Sequence, residues 1–215
     1  MRSLGMANFL ETGIYALTAE KLSRGRTNLS VVEELLASGI KVLQYREKEK
    51  PMRAMYEECL AIRAMTRRAK ATFIIDDCVD LALAVDADGV HIGQDDLPPQ
   101  IVRQLIGPEK IIGLSTHNQQ QYMQAKTMEI IDYVGVGPVY PTKTKKDVGA
   151  AVGLDYVRFV VNDGSLPFVA IGGINLSNIA TVVEAGARTV AVVSDIVGDA
   201  DISAKVRALQ AIVKR

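Results

Sequence analysis

Short apolar runs recur along the whole chain. They occupy residues 14–17, 42–45, 72–75, 89–92, 111–114, 133–136, 168–171 and 190–193. Each run is too short for a helix and too continuous for a strand with one solvent-exposed face. Strands of a parallel sheet that is covered on both faces have this pattern. The sequence therefore predicts eight buried parallel strands.

Amphipathic stretches with helical periodicity lie between these runs. They cover residues 28–38, 51–69, 79–85, 99–106, 118–128, 154–161, 177–184 and 202–214. Asn28 or Ser30 is the expected cap of the first of them. Gly39, Gly89 and Gly186 each stand between a helical stretch and the next strand, where a left-handed residue turns the chain back.

This alternation of strands and helices predicts an α/β fold, a (β/α)8 TIM barrel forming a single domain over residues 1–215. A doubly wound open sheet alternates in the same way and is the main alternative. No G-x-G-x-x-G motif follows the first strand, which disfavours a dinucleotide-binding sheet. No linker-like or low-complexity segment divides the chain.

Charge and cysteine content narrow the function classes. The 25 Lys and Arg residues balance the 25 Asp and Glu residues, which argues against a nucleic acid partner. No apolar run is long enough for a transmembrane helix, and residues 1–11 lack the apolar core of a secretory signal. The two cysteines, Cys59 and Cys78, cannot build a disulfide framework. We therefore expect a cytoplasmic protein that binds neither nucleic acid nor membrane.

Carboxylates collect where two neighbouring predicted strands end. Asp76 and Asp77 end the third strand, and Asp95 and Asp96 follow the fourth. The carboxyl ends of barrel strands meet at one mouth, so one carboxylate of each pair could face a common point. Mg²⁺ commonly takes one or two carboxylates plus water and substrate phosphate. The alternative is that these residues cap the following helices.

Cations follow the second and sixth strands. Arg46 and Lys48 alternate along the chain and should project to the same side, whereas Lys143, Lys145 and Lys146 lie on a long loop. Beside a Mg²⁺ ion, these charges would neutralise a diphosphate. For the lysine loop, simple solvation is the alternative.

A phosphate site is also indicated after the seventh and eighth strands. Gly172-Gly173 and Ser194 stand where barrels of this kind often bind phosphate through backbone N–H groups. A tight turn without a ligand is the alternative reading of the two glycines.

The two histidines differ in position. His91 lies inside the fourth strand and is expected to be a hydrogen-bonded core residue. His117 stands at the end of the fifth strand and is a candidate proton shuttle.

Taken together, these segments resemble the thiamine-phosphate synthase family over about residues 13–197. The resemblance rests on Gln44-Tyr45-Arg46-Glu47-Lys48, Asp76-Asp77, His91-Ile92-Gly93-Gln94-Asp95-Asp96, Ser115-Thr116-His117, the segment 137–146 and Gly172-Gly173-Ile174. It implies coupling of a hydroxymethylpyrimidine diphosphate to a thiazole monophosphate, with release of diphosphate. It also implies small-molecule substrates, and a homo-oligomer is compatible with it because family members commonly self-associate.

The resemblance implies a role for each matching position. Asp77 and Asp96 would hold Mg²⁺. The pyrimidine diphosphate would be bound by Gln44, Arg46, Lys48, Ser115 and Lys145, of which the last four would be catalytic. Tyr45, Glu47 and Asp76 complete the substrate-binding motifs. The thiazole phosphate would be bound by Thr142, Thr144, Gly173 (or Gly172), Val193 and Ser194. The implied mechanism is dissociative, with the thiazole nitrogen attacking a pyrimidine methyl cation.

One position departs from the family pattern, which usually has Asn-Asp where this chain has Asp76-Asp77. A carboxylate cannot donate to a phosphate oxygen and would repel the diphosphate, unless Asp76 serves as an extra metal ligand. Two other functions stay open. One is a thiazole tautomerase-like relative that uses His117, and the other is a non-catalytic barrel that binds a phosphate ligand. A phosphate-sugar isomerase is a more distant alternative.

Overall fold

The apolar runs form a closed parallel barrel in the computed structural model, which describes residues 4–142, 144 and 149–213. The strands are β1 (Ile14–Leu17), β2 (Val42–Tyr45), β3 (Thr72–Asp76), β4 (Gly89–Ile92), β5 (Ile111–Thr116), β6 (Tyr133–Val136), β7 (Phe168–Ala170) and β8 (Val190–Val192). Each strand pairs in parallel with the next, and β8 pairs with β1. The (β/α)8 prediction is therefore confirmed. The open sheet is wrong, because β1 and β8 would not pair in it.

Helices surround the barrel close to their predicted places. They are α1 (Leu4–Glu11), α2 (Asn28–Ala37), α3 (Met52–Ala69), α4 (Val79–Ala84), α5 (Pro99–Ile106), α6 (Gln119–Lys126), α7 (Gly153–Asp163), α8 (Ile179–Glu184), α9 (Ser194–Val197) and α10 (Ile202–Val213), with a 3-10 turn at Glu20–Leu22. The sequence did not predict α1, α9 or the 3-10 turn. Among the described residues, no helix combines the length and the apolar character needed to cross a membrane.

The helix boundaries correct two local predictions. Thr27, rather than Asn28 or Ser30, caps α2, and its hydroxyl oxygen accepts from the Ser30 N–H at 3.2 Å. Gly39 and Gly186 have the predicted positive φ, at 84° and 102°. Gly89 does not, because it lies inside β4. There a Cβ atom would come within 2.3 Å of the Ile111 carbonyl oxygen, so close strand contact requires this glycine.

Apolar side chains form two clusters, one between the barrel and the helices and one inside the barrel. Helix α1 contributes Met6 and Phe9 to the inner cluster, where they are 2% and 3% exposed. The Asn8 side chain donates to the Lys70 carbonyl oxygen at 3.0 Å and to the hydroxyl of Thr72, the first residue of β3, at 3.1 Å. Helix α1 therefore covers the amino end of the barrel.

Candidate active site

An open cavity of about 1080 Å³, including solvent at its mouth, lies at the carboxyl ends of the strands. It brings together most of the residues that the sequence predicts for the site. These are Gln44, Arg46, Asp76, Asp77, Ser115, Thr142, Thr144, Gly173, Val193 and Ser194. Because β3 and β7 lie on opposite sides of the closed barrel, the carboxylates and the glycine pair face each other across this space.

Asp76 joins the two cations that follow β2. Its Oδ2 atom lies 3.4 Å from the Arg46 Nε and 2.9 Å from the Lys48 Nζ, and Lys48 also pairs with Asp77. The side chains of Arg46 and Asp76 are only 15% and 11% exposed. The predicted projection of Arg46 and Lys48 to the same side is confirmed by these contacts.

The ammonium of Lys48 is stabilised by its acidic neighbours. Burial favours the neutral amine, but the charges of Asp76 and Asp77 and their hydrogen bonds outweigh it and raise the pKa of Lys48. Lys48 is therefore a permanent cation at the rim and does not act as a base near neutral pH.

Asp77 stands in a left-handed turn, with φ of 59°. Asp tolerates this conformation better than most residues with a side chain. The turn is fixed by the Asp77 N–H, which donates to the His91 carbonyl oxygen at 2.8 Å. Cys78 is the N-cap residue of α4 and Pro98 is that of α5, and neither helix has a side-chain cap hydrogen bond. The alternative that the two Asp pairs cap these helices is therefore wrong.

Asp96 lies at the edge of the cavity rather than in its lining. Its Oδ2 atom accepts from the N–H of Gly93 at 2.6 Å, and Gly93 lines the cavity beside Asp77. Hard carboxylate oxygens at a rim suit Mg²⁺. Among the described residues no group of three or more acidic, His or Cys side chains could hold a metal, so a metal here would need ligands from water or substrate.

Tyr45 and Glu47 point away from the cavity, which corrects their assignment to the substrate-binding set. The Tyr45 hydroxyl donates to Oε2 of Glu58 at 2.6 Å, on the helix side of the barrel. Glu47 Oε1 accepts from the Glu20 N–H and from the Asn28 side chain, at 3.0 and 2.9 Å. Alternation along the strand explains this, because the two residues face opposite to their neighbours. Tyr45 and Glu47 therefore anchor the segment that carries Arg46 and Lys48.

The loop after β6 is described in part. Lys143, Lys145 and Lys146 lie outside the described residues, and so does the predicted catalytic role of Lys145. Thr142 and Thr144 line the cavity, and the Thr144 N–H donates to the Thr142 hydroxyl oxygen at 3.2 Å.

The glycine pair after β7 lies against the β6 loop. Gly172 and Gly173 have φ of 101° and 65°. A Cβ at Gly172 would come within 2.4 Å of Pro138, and one at Gly173 within 2.6 Å of the Pro141 carbonyl oxygen. Only glycine fits both the backbone and the space, which leaves main-chain groups at the cavity wall.

Both histidines line the cavity. His91 is 9% exposed and hydrogen-bonded, as the sequence predicts. Nδ1 of His117 lies 2.6 Å from the Gly137 carbonyl oxygen and must carry a proton, since a carbonyl can only accept.

Sequence reasoning missed the floor of the cavity. Tyr15 and Leu17 of β1, Val169 and Ile171 near β7, and Ala191 of β8 line it. The available signal was alternation along β1, which turns Tyr15 and Leu17 to the same face.

A family model, curated relatives and a solved structure all match nearly the whole chain. The family model described as thiamine monophosphate synthase matches residues 14–196. A thiamine-phosphate synthase from Pelotomaculum thermopropionicum is 58% identical over 215 residues, covering 100% of this chain and 98% of the relative. One from Lawsonia intracellularis is 49% identical over 94% of this chain and 92% of its own length. The solved thiamine phosphate pyrophosphorylase from Pyrococcus furiosus has a TM-score of 0.87 and 36% identity, covering 97% of this chain and 98% of that one.

Proposed function

Because the chain belongs to the thiamine monophosphate synthase family, we propose that its barrel mouth couples a hydroxymethylpyrimidine diphosphate to a thiazole monophosphate. The products are thiamine phosphate and diphosphate. The chain is accordingly a transferase of thiamine biosynthesis. The observation that carries the proposed chemistry is the cluster of Arg46, Lys48, Asp76 and Asp77 across the cavity from the glycine pair.

Arg46 and Lys48 bind the leaving diphosphate in this proposal. Their contacts with Asp76 hold both cations at the rim before any ligand arrives. Charge that is already oriented stabilises a developing anion without further reorganisation, and loss of one such contact costs roughly 10²–10³ in rate. The C–O bond can then break to leave a pyrimidine methyl cation, which the thiazole nitrogen attacks.

The donor set at the rim also fits a divalent metal. Asp77 and Asp96 would hold Mg²⁺ through hard carboxylate oxygens, and the bound ion would supply further positive charge to the leaving diphosphate. Asp77 presents its carboxylate to the cavity because of its left-handed turn.

The opposite wall binds the thiazole phosphate. Thr142, Thr144 and Ser194 offer hydroxyl groups there, and Gly173 offers a main chain that no side chain covers. The second substrate therefore lies across the cavity from the diphosphate, with its ring nitrogen free to approach the reacting carbon.

Diphosphate release from the two substrates, measured with and without Mg²⁺, tests the proposal. Asp77→Asn removes the charge and keeps a residue that tolerates the left-handed turn. We expect it to lose most Mg²⁺-dependent turnover, whereas Asp95→Asn, the same change at an exposed rim position, should keep it. Unchanged turnover in Asp77→Asn would contradict the metal–diphosphate proposal. A protein that binds both substrates without releasing diphosphate would be a non-catalytic barrel.

A further inference from the structure

A chain of hydrogen bonds crosses the barrel interior below the cavity. The Gln44 amide nitrogen donates to the Tyr15 hydroxyl at 3.1 Å, and the hydroxyls of Tyr15 and Tyr133 lie 2.9 Å apart. The Tyr133 hydroxyl lies 3.0 Å from Nδ1 of His91, and Nε2 of His91 lies 2.9 Å from the Ser115 hydroxyl. The two ends, Gln44 on β2 and Ser115 on β5, are separated by β3 and β4, yet polar contacts connect them.

The direction of this chain follows from counting protons. Tyr15 accepts from the Gln44 amide nitrogen, which can only donate, and the single proton of Tyr15 is paired when it donates to Tyr133. Tyr133 in turn donates to Nδ1 of His91. A neutral imidazole that accepts at Nδ1 carries its proton on Nε2, which then donates to Ser115. The Ser115 hydroxyl then has its own proton available to donate, and Ser115 lines the cavity in which the substrate would bind.

Two strand glycines make room for the chain. A Cβ at Gly113 would come within 2.3 Å of the Tyr133 ring and 2.4 Å of Nδ1 of His91. A Cβ at Gly135 would come within 3.2 Å of the His91 ring. Neither glycine has a positive φ, so space, and not backbone conformation, requires Gly113 and favours Gly135. These two glycines thus leave room for the side chains of His91 and Tyr133.

Burial keeps both phenols protonated. It raises the pKa of Tyr15 and outweighs the hydrogen bonds that Tyr15 makes with Tyr133 and Gln44, which lower it. Burial, followed by the neighbouring Tyr15, also raises the pKa of Tyr133. Each hydroxyl therefore keeps the proton that it must donate.

We propose that Tyr133 is a positioning residue, which sets Gln44 as an acceptor and Ser115 as a donor toward the pyrimidine substrate. It does so through Tyr15 on one side and His91 on the other, although Tyr133 itself is fully buried. The hydrogen bonds at Gln44 and Ser115 are coupled, because reversing one hydrogen bond of the chain between them reverses the others. This inference rests on the proposed function and on the family resemblance, which implies that Gln44 and Ser115 bind the pyrimidine diphosphate.

Steady-state kinetics of Tyr133→Phe test this role. The variant keeps the ring and loses the hydroxyl, so we expect the KM for the pyrimidine diphosphate to rise about five- to tenfold, the effect of one hydrogen bond, with the thiazole KM unchanged. Tyr156→Phe is the matched control, since its hydroxyl donates to Thr116 at 2.7 Å on the same strand as Ser115. Equal increases in both KM values, or the same result in the control, would overturn the proposal.

Nitrogen NMR of labelled histidine tests the direction without any turnover. The chain has 2 histidines, and they should be opposite tautomers, with the proton of His91 on Nε2 and that of His117 on Nδ1. Tyr133→Phe should change the His91 signals alone. A proton on Nδ1 of His91 in the unaltered protein would overturn the direction.

The two proposals fail in different ways. If the unaltered protein releases no diphosphate, the proposed function is wrong. In that case, the pyrimidine diphosphate is titrated into the unaltered protein and into Tyr133→Phe. The inference requires weaker binding to the variant. Equal binding to both proteins, or no binding to the unaltered protein, would overturn it.

Discussion

The Lys48 ammonium lies 2.9 Å from Oδ2 of Asp76, the carboxylate that also pairs with Arg46. One carboxylate therefore contacts both cations, and an arriving diphosphate must compete with it for them.

Asp76→Asn should strengthen diphosphate binding. The amide oxygen can still accept hydrogen bonds from Arg46 and Lys48 but carries no charge that competes with the ligand, and the amide nitrogen can donate to a phosphate oxygen. We expect turnover to be retained or raised and the KM for the pyrimidine diphosphate to fall about two- to fivefold, the range of a partly exposed ion pair. Asp80→Asn on α4 is the control for the change in charge. A severe loss of activity would instead show that the Asp76 carboxylate has its own role, such as metal binding.

Gly173→Ala should damage the thiazole side of the site. The new methyl group would strain a backbone with φ of 65° and collide with the Pro141 carbonyl oxygen at 2.6 Å. We expect kcat/KM for the thiazole phosphate to fall by on the order of 10²-fold, because small displacements at a binding site have effects of this size. Gly149→Ala is the control, since a Cβ there has nothing within 4 Å. Equal activity of the two variants would argue against a role for this wall.

Phe9→Ala tests the cover at the amino end of the barrel. Phe9 is 3% exposed, and its ring centroid lies 4.3 Å from that of Tyr133. Truncation should lower the free energy of unfolding by about 3–5 kcal/mol, as measured by urea denaturation. The next residue, Leu10, is 46% exposed, and Leu10→Ala should change stability by no more than about 0.5 kcal/mol. Similar effects of the two substitutions would mean that α1 does not contribute through packing.

Asp163 should make stability sensitive to acid. Hydrogen bonds from Lys126, Ser165 and Tyr122 lower the pKa of Asp163. A lowered folded-state pKa stabilises the fold above the unfolded value of about 3.9, and this contribution disappears as the pH falls through the folded value. Asp163→Asn should therefore cost stability at pH 7 and much less in strong acid. Asp155→Asn, at a side chain that is 98% exposed, should show little pH-dependent difference. A constant deficit for Asp163→Asn at all pH values would rule out this linkage.

Strand positions followed directly from the sequence, since continuous apolar runs are a local signal of buried strands. The rim residues followed as well, because the carboxyl ends of all strands meet at one mouth. Tyr45 and Glu47 were assigned from a motif match, although strand alternation already turned them toward the helices. The Mg²⁺ site, the single domain, the cytoplasmic location and any homo-oligomer stay predictions.

The sequence alone determined the alternation of elements, the barrel class and the residues available at the strand ends, because these depend on local periodicity and chain order. Only the tertiary structure decided which of them touch. Asp76 meets two cations from β2, and Tyr15, His91 and Tyr133 form one chain of hydrogen bonds, because barrel closure brings distant strands within contact. Alternation along a strand gives the face of a side chain, but its contact partners and hydrogen-bond geometry arise only on folding, and no spacing along the chain encodes them.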